Sequence, residues 1–235
     1  MASLHRMLLM QLCLMGLVAT QTLPPQAKLY CLYWCGNVQI PYPFGIGDGC
    51  YLPTNTRFNL SCNLSTTPPS TRWTGITLTI TDISLAESEL QIITFIAKEC
   101  YNEEGEMTYS KSPSLRVSPA PYTISDTKNK FFTVCCDTYA LFQGYRDEKR
   151  FQTGCMSLCD DRENISDSCS GVGCCETAIP SGLKNRTIRL SSYYNNSYIM
   201  GFNPCSYAFI VQDMASSVSP RIQVLSIRTT LQSFG

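Results

Sequence analysis

Cysteine is the residue through which this chain can do most chemistry. There are 14 in 235 residues. Those after residue 20 are Cys31, Cys35, Cys50, Cys62, Cys100, Cys135, Cys136, Cys155, Cys159, Cys169, Cys174, Cys175 and Cys205. Thiols in such numbers either form disulfides in an oxidising compartment or bind zinc as thiolates. The spacing speaks against zinc. Cys31 and Cys35 are four apart, as are Cys155 and Cys159, and Cys174 adjoins Cys175, so no paired C-x-x-C layout is present. The only histidine is His5, which leaves no imidazole elsewhere to complete a mixed site. No metal site is expected, and a disulfide framework is.

The same lone histidine bears on catalysis. Ser-His-Asp and Cys-His schemes need an imidazole base. No phosphate-cradling G-x-x-x-x-G-K-[ST] or G-x-G-x-x-G run occurs. Carboxylates do cluster, at Glu103, Glu104 and Glu106 and at Asp160 and Asp161. A glycosidase, however, needs two carboxyls facing one bond from opposite sides, and neighbours in a polar loop are ordinarily solvated charge. The reading is a binding protein without a cofactor, not an enzyme.

Other residues speak for secretion. His5 and Arg6 precede an apolar run over residues 7–19 that ends in small or polar residues. This is the layout of a signal peptide over residues 1–20, too short to span a membrane. Asn59, Asn63, Asn164, Asn185 and Asn195 each begin an N-x-S/T sequon and are candidate glycosylation sites. Without Arg6, 17 Lys and Arg stand against 18 Asp and Glu. That balance gives no reason to expect nucleic acid as a partner.

The elements that must position these residues read as β-structure. Short β-branched and aromatic runs are punctuated by Gly, Pro, Asn and Ser, and helical periodicity is scarce. Strands are expected over residues 75–85, 90–97, 187–190, 198–202 and 207–212. Residues 122–125 and 130–134 flank a turn and are expected to pair as a hairpin. The fold class is all-β and disulfide-rich, an extracellular module of short strands and long loops with little helix. A polar break at residues 102–106 suggests a division into a cysteine-rich domain over 27–102 and a second over 103–213. Residues 214–235 read as a tail, poorly ordered or a lone edge strand.

The segment CGNVQIPYPFGIGDGC, residues 35–50, closely resembles the start of the galacturonan-binding domain of plant wall-associated receptor kinases. SDTKNKFF, CDTYA, GCMSLCD, CSGVGCCETAIPSGLK and FNPCSYAFIV resemble the cysteine-rich part that follows in those ectodomains, extending the resemblance over roughly residues 31–213. Two departures stand out. Cys135 occupies a place where relatives usually have glycine, which leaves twelve framework cysteines and one odd thiol, able to link two chains. The chain also stops soon after FNPCSYAFIVQD, where typical relatives continue to further modules, a membrane span and a kinase.

The resemblance implies a ligand: de-esterified homogalacturonan, the acidic polymer of pectin, met in the plant cell wall by a secreted protein. Full-length relatives are single-pass plasma-membrane proteins, so receptor relatives are the alternative partners, reached through protein or peptide contacts. A polyanion calls for Arg and Lys. Yet residues 21–102 hold Lys28, Arg57, Arg72 and Lys98 against Asp48, Asp82, Glu87, Glu89 and Glu99. Either the cations converge on one face, or calcium bridges carboxylates of protein and polymer, or this chain binds the polymer weakly or binds something else. The candidate ligand residues are Arg57, Arg72, Trp73 and Lys98, with Arg72 and Trp73 addressing carboxylate and sugar face together. Tyr42 and Phe44 belong to the Pro-rich IPYPFG, expected to be extended; these two either touch ligand or only shape the motif. Tyr42-Pro43 is a candidate cis bond.

Overall fold

The structure, a computed structural model, describes residues 26–75, 78–116, 122–146, 149–163, 165, 168–212 and 226–233. The signal segment 1–20, Asn164 and residues 214–225 lie outside the described residues.

Chain order opens with β1 (Trp34–Cys35), β2 (Val38–Gln39), β3 (Gly45–Ile46), a 3-10 turn (Thr56–Phe58), β4 (Asn59–Asn63) and β5 (Ser70–Trp73). Next come β6 (Thr79–Ser84), β7 (Glu89–Phe95), β8 (Ala97–Tyr101), β9 (Met107–Lys111), β10 (Ser114–Arg116) and β11 (Tyr122–Ile124). Then follow β12 (Asn129–Val134), β13 (Asp137–Arg146), β14 (Lys149–Leu158), β15 (Cys174–Ala178), β16 (Asn185–Ser191), β17 (Cys205–Gln212) and β18 (Ser226–Ser233). The fold is all-β and disulfide-rich.

Among the described residues three sheets form, besides a β1–β2 hairpin. The seven-stranded one runs β11-β18-β7-β6-β5-β4-β3, the five-stranded one β15-β12-β17-β8-β9, and the four-stranded one β10-β16-β13-β14. Alternation sets which side chains turn inward. In β7, Leu90, Ile92 and Thr94 are buried while the residues between them are not; in β16, Arg186, Ile188 and Leu190 are buried. One apolar core takes Ile80, Leu90 and Ile92 from the first sheet, Phe131 and Ile210 from the second, and Phe142 and Ile188 from the third. In a flat sheet, four strand spacings of about 4.8 Å would hold β5 and β11 roughly 19 Å apart. Yet the rings of Trp73 and Tyr122 have centroids 5.4 Å apart. The seven-stranded sheet is therefore strongly curled around its apolar face.

Several sequence expectations need correction. Residues 122–124 and 129–134 do not form a hairpin: β11 pairs with β18, whereas β12 lies between β15 and β17. Residues 226–233, part of the 214–235 stretch expected to be a poorly ordered tail or a lone edge strand, run inside the seven-stranded sheet between β7 and β11. Residues 198–202 are turns, not a strand. There Asn195 and Asn196 take positive φ of 54° and 55°, and Asp137 captures the loop. Its carboxylate accepts from Ser192 Oγ and from the backbone N–H groups of Tyr193, Tyr194 and Asn196, at 2.6–3.1 Å. The polar break at residues 102–106 is the turn of the β8–β9 hairpin. Strands from both sides of it share sheets, β8 pairing with β17 and β7 with β18.

The bridges are Cys31–Cys50, Cys35–Cys62, Cys100–Cys205, Cys136–Cys159, Cys155–Cys175 and Cys169–Cys174. Cys135 is unbridged and buried, 1% exposed, so the inter-chain link allowed by the sequence is out of reach of the folded chain. Burial also pushes its thiol pKa up, which keeps the sulfur protonated and unreactive. Among the described residues, no group of His, Cys, Asp and Glu is placed to hold a metal, and no helix is long and apolar enough to cross a membrane.

Candidate functional site

Two disulfides anchor the segment singled out by the sequence. Cys31–Cys50 and Cys35–Cys62 tie its start to its end and to β4. Between them IPYPFG turns rather than extends. Phe44 N donates to Pro41 O at 2.9 Å across a cis Tyr42-Pro43 bond, a type VI turn. Gly36 sits at φ +59°, where a Cβ would strike the Pro69 carbonyl, so only glycine fits the tip of the β1–β2 hairpin.

The turn decides which rings reach solvent. Phe44 points inward, 4% exposed, and packs edge-on against Phe58 with centroids 5.2 Å apart. Tyr42 points outward and is 41% exposed. Phe44 is thus a core residue, whereas Tyr42 is accessible to a ligand.

Trp73 requires the larger correction. It is 2% exposed, and its Nε1 donates to the Arg57 carbonyl at 2.5 Å. Arg72 and Trp73 are consecutive in β5, so their side chains leave opposite faces. They cannot address one sugar together, and the buried indole offers no face for stacking. Arg72 lies on the outer side, and its Nε is buried without a hydrogen-bond partner. Arg57, in the 3-10 turn, is tied to β5 by the Trp73 bond. Lys98 is not brought to this pair by sheet pairing. It sits on β8 in the five-stranded sheet, its Nζ 5.5 Å from the ring centroids of both Tyr109 and Tyr207.

Sequence reasoning missed an exposed run at the entrance of the segment. Leu29, Tyr30, Leu32 and Trp34 are 75%, 98%, 55% and 54% exposed. Tyr42 joins this surface, since its N–H donates to Gln26 O at 3.1 Å and brings it beside the incoming chain. The signal was CLYWC itself. Its two cysteines bridge to different partners, Cys50 and Cys62. The three large side chains between them are left with little core to enter.

The charge balance also changes on folding. Lys128 Nζ contacts Glu87 and Glu89 at 2.7 Å each, and its hydrogen bond, then its charge, hold the Glu87 carboxyl below its ordinary pKa. Glu99 is buried and accepts from Tyr101 Oη and Ser110 Oγ. Desolvation raises its pKa and favours the neutral acid. Three of the five acids that outnumbered the cations in residues 21–102 are thus matched or partly neutralised. The acidic excess read from sequence overstates what a ligand would meet.

The sequons divide by surroundings. Asn195 is exposed in the Asp137-held loop, while Asn59, Asn63 and Asn185 are partly buried on strands.

A family profile described as wall-associated receptor kinase galacturonan-binding matches residues 31–94. The chain is 34% identical over 197 residues to wall-associated receptor kinase 2 of Arabidopsis thaliana, covering 84% of this chain and 26% of that protein. Wall-associated receptor kinases 5 and 3 of the same plant are 33% and 32% identical over 199 and 205 residues, covering 84% and 80% of this chain and 26% of each relative. No solved structure matches. The chain spans about a quarter of the length of these relatives. Residues 31–94 are thus similar to the galacturonan-binding segment of wall-associated receptor kinases, and the chain as a whole to about one quarter of such receptors.

Proposed function

We propose that the protein is a secreted, N-glycosylated module of the plant cell wall that binds acidic pectin, de-esterified homogalacturonan. The observation that carries this reading is the exposed Tyr30–Trp34–Tyr42 surface within and beside the family-matched segment. Flat rings provide faces for pyranose stacking, and the half-buried Arg57 and Arg72 supply cations for uronate carboxylates. Calcium is dispensable on this reading. The protein acts by holding the polymer and carries out no reaction on it.

A second reading has its own support. Leu29 and Leu32 are large, apolar and exposed, as in a surface that docks a receptor relative. A pectin-binding assay across a salt series separates the two. Polymer held by arginine weakens as salt screens the charges, whereas a mainly apolar protein interface does not. A glycan array on the secreted protein tests the first reading: oligogalacturonides are retained, and neutral glycans and fully methyl-esterified pectin are not.

A further inference from the structure

The outer face of the four-stranded sheet holds a groove of about 760 Å³, outside the family-matched segment. Its walls come from β10, β13, β14 and β16. Strand register explains its chemistry. Tyr145 stands opposite Arg150 on one side and Asn185 on the other; Gln143 stands opposite Thr187. Side chains directly opposite across antiparallel strands share a face. Tyr145 is 55% exposed, Arg150 and Arg189 are exposed, and Gln143 donates from Nε2 to Gln152 Oε1 at 2.8 Å. The groove thus offers an aromatic ring, two cationic forks, an amide and a hydroxyl, the groups that meet a saccharide bearing carboxylates.

Charge favours an anion. No carboxylate lines the groove among the described residues, and neither Arg150 nor Arg189 makes an ion pair among them. A third cation lies beneath the floor. Arg186 alternates to the inner face of β16, is 2% exposed, and leaves Nε and Nη1 without hydrogen-bond partners. Burial depresses its pKa to about 10, which still leaves it protonated at neutral pH. A buried, uncompensated charge acts through a poorly screening medium and adds to the positive potential of the groove above it.

The face continues beyond the groove. Tyr139, on the same side of β13, packs against exposed Tyr193 with centroids 4.7 Å apart. From Tyr139 to Tyr145 the strand advances roughly 20 Å. A linear ligand several sugars long would therefore meet aromatic rings at both ends and Arg189 between them.

We propose that this groove is a second saccharide-binding site, which takes a uronate-bearing oligosaccharide through Arg150 and Arg189 on carboxylates and Tyr145 on a sugar face. The ligand class rests on the pectin reading above; the site does not, because it is separate from residues 31–94. A chain with two sites for one polymer would hold it with avidity beyond either site alone.

The test titrates secreted full-length protein with an oligogalacturonide of defined length, by calorimetry. It compares wild type, the double variant Arg150→Gln/Arg189→Gln, Tyr145→Ala and Trp34→Ala. Thermal unfolding of each variant checks that these exposed substitutions leave the fold intact. The groove predicts at least a tenfold loss of affinity, or loss of one binding step, in the double variant, since each arginine contributes a charge-assisted hydrogen bond. It predicts a further loss when Trp34→Ala is added. Unchanged affinity and stoichiometry in the double variant, with loss in Trp34→Ala, would overturn the groove and leave the pectin reading standing. No binding by wild type would overturn both. Complete N-glycosylation at Asn185, read by glycopeptide mass spectrometry, would also overturn the groove, because the chain's own glycan would fill it.

Discussion

Replacing Cys135 by glycine is expected to leave stability nearly unchanged, while replacing its neighbour Cys136 by serine is expected to be severe. Cys135 adopts φ +145°, a region that disfavours any residue with a Cβ. Removing the Cβ releases backbone strain of about 1–3 kcal/mol. Against that stands the loss of a small buried side chain, about 1 kcal/mol for each methylene-sized group. The two roughly cancel. Cys136 instead bridges to Cys159 across 23 residues. For a loop of that size the chain-entropy estimate is about 3 kcal/mol, and the orphaned partner adds to the loss. The assay is urea unfolding of both variants under oxidising conditions, with mass spectrometry to count the remaining bridges. Equal destabilisation by the two substitutions would refute the assignment of Cys135 as the odd thiol.

Four further outcomes follow from the same geometry. Trp73→Ala should destabilise the fold by about 3–5 kcal/mol in denaturant titrations, as a large buried ring and its hydrogen bond to Arg57 are lost together. Asp137→Ala should cost about 3–5 kcal/mol, because three backbone donors lose a buried charged acceptor; raised hydrogen exchange at Tyr193, Tyr194 and Asn196 would localise the damage. Native Cys135 should resist thiol reagents until the chain is unfolded, which timed alkylation measures. Glu99→Gln should stabilise the protein at neutral pH. The folded state binds the Glu99 proton more tightly than the unfolded chain does. Wild-type stability therefore falls as pH rises from the ordinary carboxylate range through the raised value, and the gain should vanish at about pH 4.

Strands were legible where alternation was local. Residues 89–95 and 205–212 both lie on β-branched and aromatic runs, though only the first alternates cleanly between buried and half-buried side chains. Pairing was not legible where the partner lies far along the chain. Nothing near Tyr122–Ile124 announces that it joins Ser226–Ser233, and a turn-like Ser-Asp-Thr-Lys-Asn between two β-runs pointed to the nearer, wrong partner. Tyr198–Phe202 has strand composition, but the loop before it is drawn off by the Asp137 carboxylate, a side-chain interaction invisible to periodicity. The site shows the same limit. Sequence indicated that two tryptophans and many tyrosines exist, but not which of them the curled sheet would enclose. Trp73 went inside and Trp34 remained outside. The arginines divided likewise: the groove cations Arg150 and Arg189 are far apart in the chain and meet only through the β13–β14 and β13–β16 ladders.

The central claim, that an aromatic and arginine-bearing surface in residues 31–102 holds acidic pectin, is tested most directly by one titration. Wild type and Trp34→Ala are titrated with an oligogalacturonide, with and without a calcium chelator and at low and high salt. The account predicts binding that survives the chelator, weakens with salt, and falls about tenfold or more when the exposed indole is removed, since burying such a ring is worth about 1.5–3 kcal/mol. Affinity unchanged by Trp34→Ala, or binding that disappears with the chelator, would contradict it.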